Sequence, residues 1–446
     1  MQMVACILKK YLNCRLSNLF MNKKYYTLLS VISLIICSCA NDENHLIEEE
    51  IVLTDNIEVY NSNLIEDSYV LAVEGGGTEA YLLDKQGHKR YTWQFEDNLG
   101  NDLELLPNGQ LIGIFKSEAP TITYGGYGGK IKIINSDGSV SWEYEYSSTN
   151  YIAHHDVEML SNGNVLFLVW ERISALEAQS AGVNTTVDIF PEALIEVNPS
   201  TNQIVWEWHS WDHIVQDINP NALNYGVVSS NPQLININYN IAFTNGDIMH
   251  ANGIDLDEQR DVIFISVNEF SEIWVIDHST TTAEASSNSG GNYNKGGNLL
   301  YRFGNPEAYN NTFGQRLFYN NHYPNFLENN VQGAGNLLVY VNSFTNTQSI
   351  VYELNIPEVF NLQPNINNEP SVVWSFTDEN LFFGRLSGAV RLTNGNTLIC
   401  EGDYGFWEVT SNGDVAWKYA KSDAGDVFWR GYNYNKNSEA INNLGL

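Results

Sequence analysis

The sequence predicts an all-β protein folded as a six-bladed β-propeller. Three observations lead to this prediction: a strand–turn–strand phrase occurs six times, a second phrase precedes most of its copies, and strand-forming aromatic residues are frequent. A unit of four short strands repeated every roughly 40 to 60 residues is typical of propeller blades. One unit cannot bury both faces of its sheet, so we expect the copies to pack around a common axis.

The first phrase joins an apolar strand to a second strand through a turn built on Asp, Asn or Gly. Its copies begin at Leu82, Ile133, Glu196, Val275, Glu353 and Glu408. The second strands share an aromatic position, occupied by Trp93, Trp142, Trp206, Tyr301, Trp374 and Trp417. We expect these rings to lie between neighbouring blades, because a large aromatic side chain buries roughly 150–250 Å² where two sheets meet.

The second phrase is an apolar strand pair joined by an Asn-Gly turn. It reads LLPNGQLIGIF from Leu105, MLSNGNVLFLV from Met159 and RLTNGNTLICE from Arg391. Together the two phrases predict a propeller over residues 66–420, with blades at 66–100, 101–147, 151–212, 248–305, 320–378 and 384–420. Residues 40–65 are predicted as a tether and first strand, and residues 421–446 as a tail that docks on the ring. Two insertions, 217–245 and 279–298, are predicted as loops, the first at one mouth of the channel.

The N-terminus carries the pattern of a bacterial lipoprotein signal over residues 1–39. Met21 is an alternative start of translation to Met1. A basic segment precedes the apolar run Tyr26–Ile36, and a small residue stands just before Cys39. This pattern predicts cleavage before Cys39 and lipid on its thiol. A transmembrane anchor is the alternative, but the run is short and polar for a membrane span. We therefore expect a lipoprotein of the bacterial outer membrane, at its periplasmic face or on the cell surface.

Charge and cysteine content narrow the function classes. The formal net charge of −31 argues against a general nucleic-acid binder, because phosphate contacts need Lys and Arg. After removal of the signal and acylation of Cys39, Cys400 is the one remaining cysteine, so no internal disulfide is expected. No Walker loop, dinucleotide fingerprint or HExxH helix is visible, and no cofactor is predicted.

Histidines occupy matching places in three blades, just before each blade's early strand. They are His154 and His155, His250, and His322. Because the first strand of a blade lies nearest the axis, we expect His155 or His154, His250 and His322 to converge at the channel mouth.

Three convergent imidazoles suit metal binding, acid–base chemistry or nucleophilic catalysis. The alternative is that they only bond backbone at blade edges. Asp156, Glu158 and Asp255 keep a metal site open, but ligands from three separate blades are an uncommon zinc arrangement, so no metal is predicted.

Five segments around these histidines carry a family resemblance. They are His155–Asn164, Met249–Asp255, Glu272–Thr282, Leu299–Pro306 and Arg391–Ile399. In this order they resemble the bacterial arylsulfate sulfotransferases, especially the lipoprotein-like branch, over most of residues 100 to 420. The resemblance implies a six-bladed propeller that transfers a sulfuryl group from an aryl sulfate ester to a phenol. It also implies a sulfohistidine intermediate and no nucleotide sulfate donor.

The resemblance also implies roles for individual residues. His322 matches the nucleophile, and His250 and His155 match the histidines that hold the sulfuryl oxygens. Further substrate-binding positions are Asn252, Asn268 and His154. Small-molecule aryl sulfates and phenols are the implied substrates.

The sequence departs from the family pattern at two places. Asn268 stands where the family has an arginine, and Asn321 stands where a glutamine usually precedes the nucleophile. Weak or narrow activity is therefore expected, unless another cation replaces the missing one; the candidates are Arg302, Arg316 and Arg385. The competing hypothesis is a non-catalytic propeller lipoprotein that binds a small molecule or glycan, because the D-x-x-G-x-x-x-W phrases also resemble structural repeats of quinoprotein-like propellers.

Overall fold

The computed structural model describes residues 51–421 and 427–446. The predicted signal, the lipid site Cys39 and most of the predicted tether lie outside the described residues. Leu53–Leu446 form one compact unit.

The unit is built almost wholly of short strands. In chain order they are β1 Ile57–Tyr60, β2 Ser68–Glu74, β3 Glu79–Leu83, β4 Lys89–Gln94, β5 Leu99–Leu105, β6 Leu111–Lys116, β7 Gly129–Ile134, β8 Val140–Glu145, β9 Tyr151–Met159, β10 Val165–Glu171, β11 Glu192–Asn198, β12 Gln203–His209, β13 Ile214–Val215 and β14 Ile235–Asn236. They continue as β15 Ala251–Asp257, β16 Val262–Val267, β17 Glu272–Asp277, β18 Tyr301–Phe303, β19 Asn321–Phe326, β20 Asn336–Thr345, β21 Gln348–Asn355, β22 Ser371–Phe376, β23 Gly388–Arg391, β24 Thr397–Glu401, β25 Gly405–Val409, β26 Val415–Ala420 and β27 Phe428–Asn435. The α-helices are short: α1 Ala175–Ser180, α2 Thr282–Ala285 and α3 Glu439–Leu444.

Antiparallel pairing gathers these strands into six blades, except for β13 and β14, which form a separate parallel pair. The six blades confirm the predicted all-β, six-bladed propeller. The sheets are β27-β2-β3-β4, β5 to β8, β9 to β12, β15 to β18, β19 to β22, and β23 to β26 with β1 at the outer edge. The turns between strands use the Asn-Gly chemistry seen in the sequence. Gly163, for example, has φ 82°, a conformation that L side chains rarely adopt, so glycine suits this tight turn.

Both chain ends are strands of the ring. β27 pairs with β2 and forms the innermost strand of the first blade, and β1 pairs with β26 at the edge of the last. The segment expected as a tail docking on the ring therefore completes a blade instead. The physical reason is that β2 would otherwise present an unpaired inner edge, and β27 satisfies its backbone donors and acceptors.

The recurring tryptophans connect one blade to the next through their indole N–H groups. Trp142 donates to Asn202 Oδ1 at 2.8 Å, and Trp206 donates to Thr280 Oγ1 at 3.1 Å. Trp417 donates to the backbone carbonyl of Lys85 at 2.8 Å, which ties the last blade to the first. The predicted position between blades is therefore observed for these three rings, and each of the three adds a directional bond to its packing.

The second insertion packs against the end of β12 and the segment that follows this strand. His213 contacts the carbonyl oxygen of Ala285 through Nε2 at 2.7 Å, and Trp208 donates to the carbonyl of Gly297 at 2.8 Å. These contacts join the segment after β12 to the loop that contains α2. None of the described helices is long and apolar enough to cross a membrane.

Candidate active site

Three innermost strands contain a β-bulge at the level of the matched histidines. The register shifts in β9 after His154, in β15 next to Asn252, and in β19 next to Tyr323. His155, His250 and Tyr323 adopt positive φ angles of 56°, 51° and 52°. Each such conformation costs about 1–3 kcal/mol in a non-glycine residue, and bulges are a common way to re-aim side chains at active sites. The backbone of three blades is thus bent in the same way around the axis.

The histidines at these bulges line one cavity of about 500 Å³. The ring centroids of His155 and His250 lie 4.8 Å apart, and Trp429 packs against both His155 and His322, at 5.7 and 6.3 Å. Other lining residues are Lys116, Tyr124, Gly126, Asn268, Glu269, Asn320, Arg385 and Leu386. A larger groove of about 670 Å³ is bordered by Arg260 and Glu328 and has no histidine in its lining.

His322 lines the cavity as a neutral imidazole, and both of its ring nitrogens have hydrogen-bond partners. Asn342 Oδ1 lies 2.6 Å from Nδ1, and the backbone N–H of Leu386 donates to Nε2 at 3.1 Å. Because Nε2 accepts a hydrogen bond, the ring proton belongs on Nδ1. Burial, together with the charges of His250 and Arg430, lowers the pKa of His322 to about 3, although the bond to Asn342 opposes the shift.

His250 has the opposite electrostatic character. Its Nδ1 lies 2.5 Å from Asp247 Oδ2. Burial alone would lower the pKa of His250, but the charge and hydrogen bond of Asp247, with Glu192 and Glu269 beyond, raise it above the usual value. The carboxylate of Asp247 therefore shifts the pKa of His250 in the direction opposite to that of His322.

His155 lines the cavity, and His154 lies behind it. The two Nδ1 atoms are 2.8 Å apart, and His154 Nε2 is 2.8 Å from Glu192 Oε2. Burial and the neighbouring His250 lower the pKa of both His154 and His155 well below the usual range. Gly126 has φ 85°, and a Cβ there would lie 2.1 Å from His155 Nε2, so only glycine leaves room for this ring.

The two predicted asparagines donate to the backbone of β19, the strand that carries His322. Asn252 is fully buried, and its Nδ2 donates to the backbone carbonyl of Asn321 at 2.8 Å. Asn268 lines the cavity, but its Nδ2 donates to the same carbonyl at 3.2 Å. The structure therefore brings His155, His250, His322 and Asn268 together, and leaves Asn252 and His154 behind the cavity wall.

Arg430, which the sequence patterns did not single out, is a buried arginine that packs against Tyr323 and Trp429. Its guanidinium forms two bonds of 2.9 Å with Asp156 and one of 2.9 Å with the carbonyl of Asn252. Asp156, a candidate metal ligand in the sequence, is thus committed to Arg430. Among residues 51–421 and 427–446, no group of three His, Cys, Asp or Glu side chains is arranged to hold a metal ion.

Comparison with known proteins identifies the family. The profile of the arylsulfotransferase (ASST) family matches residues 53–429. The chain belongs to the arylsulfotransferase family. This membership points to aryl sulfotransferase activity, with aryl sulfates and phenols as substrates. No curated protein matches the chain significantly.

Among solved structures, the chain is similar to a putative 6-phosphogluconolactonase from Bacteroides fragilis, with 9% identity over 82% of this chain and 98% of that one, at a TM-score of 0.41. It is also similar to a luciferin-regenerating enzyme, with 9% identity over 84% of this chain and 94% of that one, at a TM-score of 0.33. The fold assignment rests on the strand pairing and not on these two proteins.

The structure distinguishes between the three arginines considered as replacements for the family cation. Arg302 is fully buried against Glu272, and Arg316 bonds the carbonyl of Phe318 and Ser271 Oγ. Arg385 lines the cavity, as does Lys116, whose Nζ lies 4.9 Å from the ring centroid of Tyr127. Lys116 was not among the predicted site residues. The sequence feature that marks it is a cation at the end of the otherwise apolar strand β6.

Lys116 and Arg385 thus add two cationic side chains to the wall that carries His155, His250 and His322.

Proposed function

We propose that this arylsulfotransferase-family protein transfers a sulfuryl group from an aryl sulfate to a phenolic acceptor through a sulfohistidine at His322, without a nucleotide sulfate donor. The observation that carries the proposal is the state of His322. Its imidazole is neutral, Asn342 accepts its Nδ1 proton, and its Nε2 lone pair accepts the Leu386 N–H at the wall of a cavity that Lys116 and Arg385 also line. A neutral imidazole is both a good nucleophile and a good leaving group.

In the first half-reaction, His322 Nε2 forms a bond to sulfur while the bond from sulfur to the aryl oxygen breaks. The hydrogen bond from the Leu386 N–H to Nε2 must break before Nε2 can attack. His250, Lys116 and Arg385 are the cations that face the sulfuryl oxygens and stabilise charge on them.

In the second half-reaction, a phenol oxygen attacks the same sulfur and His322 leaves as a neutral imidazole. The departing aryl oxygen needs a proton in the first half-reaction, and the attacking phenol loses one in the second. His155, a neutral imidazole on the cavity wall, is the group that we assign to this proton transfer.

The missing family arginine limits this activity. Asn268 uses its amide to hold the backbone of Asn321, so it contributes no charge to the sulfuryl group. Lys116 and Arg385 supply positive charge from other positions on the wall, and we expect a narrower range of donors as a result.

The test is detection of the sulfated histidine. Protein incubated with 4-nitrophenyl sulfate and no acceptor should gain the mass of one sulfuryl group on His322, and added phenol should discharge it. His322→Ala should abolish labelling and transfer. His209→Ala removes a histidine that pairs with Glu171 outside the cavity, so it is the matched control and should behave like the wild type. Absence of label with several aryl sulfates, together with unchanged transfer in His322→Ala, would favour the non-catalytic binding propeller.

Membrane attachment is a second part of the proposal and rests on the N-terminal sequence. We propose that Cys39 is lipidated and holds the protein at the outer membrane, at its periplasmic face or on the cell surface. Cys39→Ala should leave an uncleaved precursor or release the protein to the soluble fraction. Retention of a correctly cleaved Cys39→Ala protein in the membrane fraction would show a different anchor.

A further inference from the structure

Three ionisable side chains form a continuous row from the cavity into the protein. His155 is on the cavity wall, His154 contacts it through the paired Nδ1 atoms at 2.8 Å, and Glu192 Oε2 lies 2.8 Å from His154 Nε2. Their exposed fractions are 2%, 0% and 1%, so the row has no contact with bulk water except through the cavity. The other Glu192 oxygen accepts the backbone N–H of Ala251 at 2.7 Å.

Donor and acceptor rules allow this row two arrangements with neutral imidazoles. In the first, Glu192 carries a proton and donates it to His154 Nε2, His154 donates from Nδ1 to His155 Nδ1, and His155 Nε2 carries N–H toward the cavity. In the second, Glu192 is ionised and accepts from His154 Nε2, His155 donates from Nδ1, and His155 Nε2 presents a lone pair. The two arrangements differ by one proton.

We propose that Glu192, acting through His154, stores the proton that His155 exchanges with the substrates between the two half-reactions; this inference rests on the proposed function. In the first half-reaction, His155 Nε2–H protonates the departing aryl oxide. The Nδ1 proton of His154 then moves to His155, and the Glu192 proton moves to His154 Nε2. In the second half-reaction, the phenol gives its proton to His155 Nε2, and the same three transfers run in reverse. The proton lost in one half-reaction is regained in the other.

The surroundings suit a site that holds a proton away from water. Burial raises the pKa of Glu192 well above its usual range, and Asp247 adds to the shift, while Ala251 N–H and His250 oppose it. His154 stacks on Trp170, with ring centroids 3.7 Å apart. The other charged or titratable groups that act on the row are Asp156, His322 and Arg430. Glu192 and His154 are positioning residues, because neither touches the cavity.

The experiment compares donors that differ in their need for a proton. 4-Nitrophenolate leaves readily without protonation, whereas the phenolate from phenyl sulfate has a conjugate acid of pKa about 10 and gains most from an acid. Glu192→Gln should slow the first half-reaction about 10²-fold with phenyl sulfate and only a few-fold with 4-nitrophenyl sulfate. Glu196→Gln is the matched control, since Glu196 lies on the same strand and pairs with His278 away from the cavity. If Glu192→Gln does not fold, His154→Gln breaks the same row and should give the same pattern.

Equal losses with both donors, or no loss, would overturn the relay while leaving the sulfohistidine reaction in place. Failure of the wild type to label His322 would instead overturn the proposed function. Nitrogen-15 histidine NMR then tests the relay without turnover. The His154 and His155 resonances should change tautomer together in one pH step, which Glu192→Gln removes and Glu196→Gln retains. Independent steps for the two rings, or a step that persists in Glu192→Gln, would contradict the relay.

Discussion

At the scale of single residues, the cavity separates its imidazoles by their surroundings. His322 and His155 have lowered pKa values because they are buried among other positive groups, whereas His250 has a carboxylate partner in Asp247 that raises its pKa. Neighbouring groups whose environments shift their pKa values in opposite directions are typical of acid–base sites. His250 therefore keeps its proton to higher pH than His322 and His155 do.

A pH profile should show this division. His250 stabilises the sulfuryl oxygens only when protonated, and its pKa is raised, so the rate of the first half-reaction should hold below that pKa and fall as pH rises through it. Asp247→Asn removes the carboxylate that raises the pKa, so the falling limb should move to lower pH. The measurement is kcat/KM for 4-nitrophenyl sulfate against pH. Glu171→Gln, which alters the carboxylate partner of His209 outside the cavity, should leave the limb in place. An unmoved limb in Asp247→Asn would assign it to another group.

At the scale of elements, bulged strands and a strained loop position His322. Leu386 and Ser387 have φ angles of 57° and 81°, which are unusual for residues other than glycine. Asn342 on β20 holds this loop through bonds of 2.9 Å from Nδ2 to the carbonyls of Phe383 and Leu386, and holds His322 through Oδ1. One side chain therefore fixes both the ring orientation and the loop that covers it.

Asn342→Ala should separate these functions from global folding. It leaves the His322 Nδ1–H and two loop carbonyls without their partner, which should cost about 1–3 kcal/mol of stability and lower kcat about 10²-fold. Denaturant unfolding and single-turnover labelling of His322 measure the two effects. Asn336 begins the same strand and forms side-chain hydrogen bonds with Glu353 and Asn355, not with the loop. Asn336→Ala is therefore the control and should leave the labelling rate unchanged. Equal rate losses in both variants would mean that Asn342 acts only through stability.

At the scale of the whole molecule, β27 completes the first blade and its residue Arg430 bonds to other blades. The side chain reaches from the first blade to Asp156 in the third and to the Asn252 carbonyl in the fourth. It is 1% exposed, and its ring contacts include Tyr323, with the guanidinium carbon 4.0 Å from the ring centroid. The same residue thus joins three blades.

Arg430→Met should destabilise the propeller strongly. The substitution leaves Asp156 and Asp102 buried without their cation, and breaking a buried pair in this way costs about 3–5 kcal/mol. Urea unfolding measures the loss. Arg90→Met removes an exposed arginine 3.6 Å from Asp84 on the first blade, and Asp84 keeps its bonds from the backbone N–H groups of Gln86 and His88, so stability should change by no more than about 0.5 kcal/mol. Similar stabilities for the two variants would show that the axial pair contributes little.

The sequence by itself determined the architecture, the number of blades and the family. Strand alternation, Asn-Gly turns and the shared aromatic position are local patterns, and each repeat carries its own copy, so they can be recognised without knowledge of the fold. The convergence of His155, His250 and His322 followed from the same register, because equivalent places in successive blades lie around one axis.

Tertiary structure alone decided how the ring closes and which groups reach the cavity. β2 pairs with a strand more than 350 residues away, and no local pattern marks such a pairing. The same limit hid Arg430, Lys116 and the partnership of His154 with Glu192. The bulges decided that His155 lines the cavity while His154 and Asn252 lie behind it. A bulge with positive φ is held by packing from neighbouring blades against its own conformational preference, so it exists only once those blades are assembled.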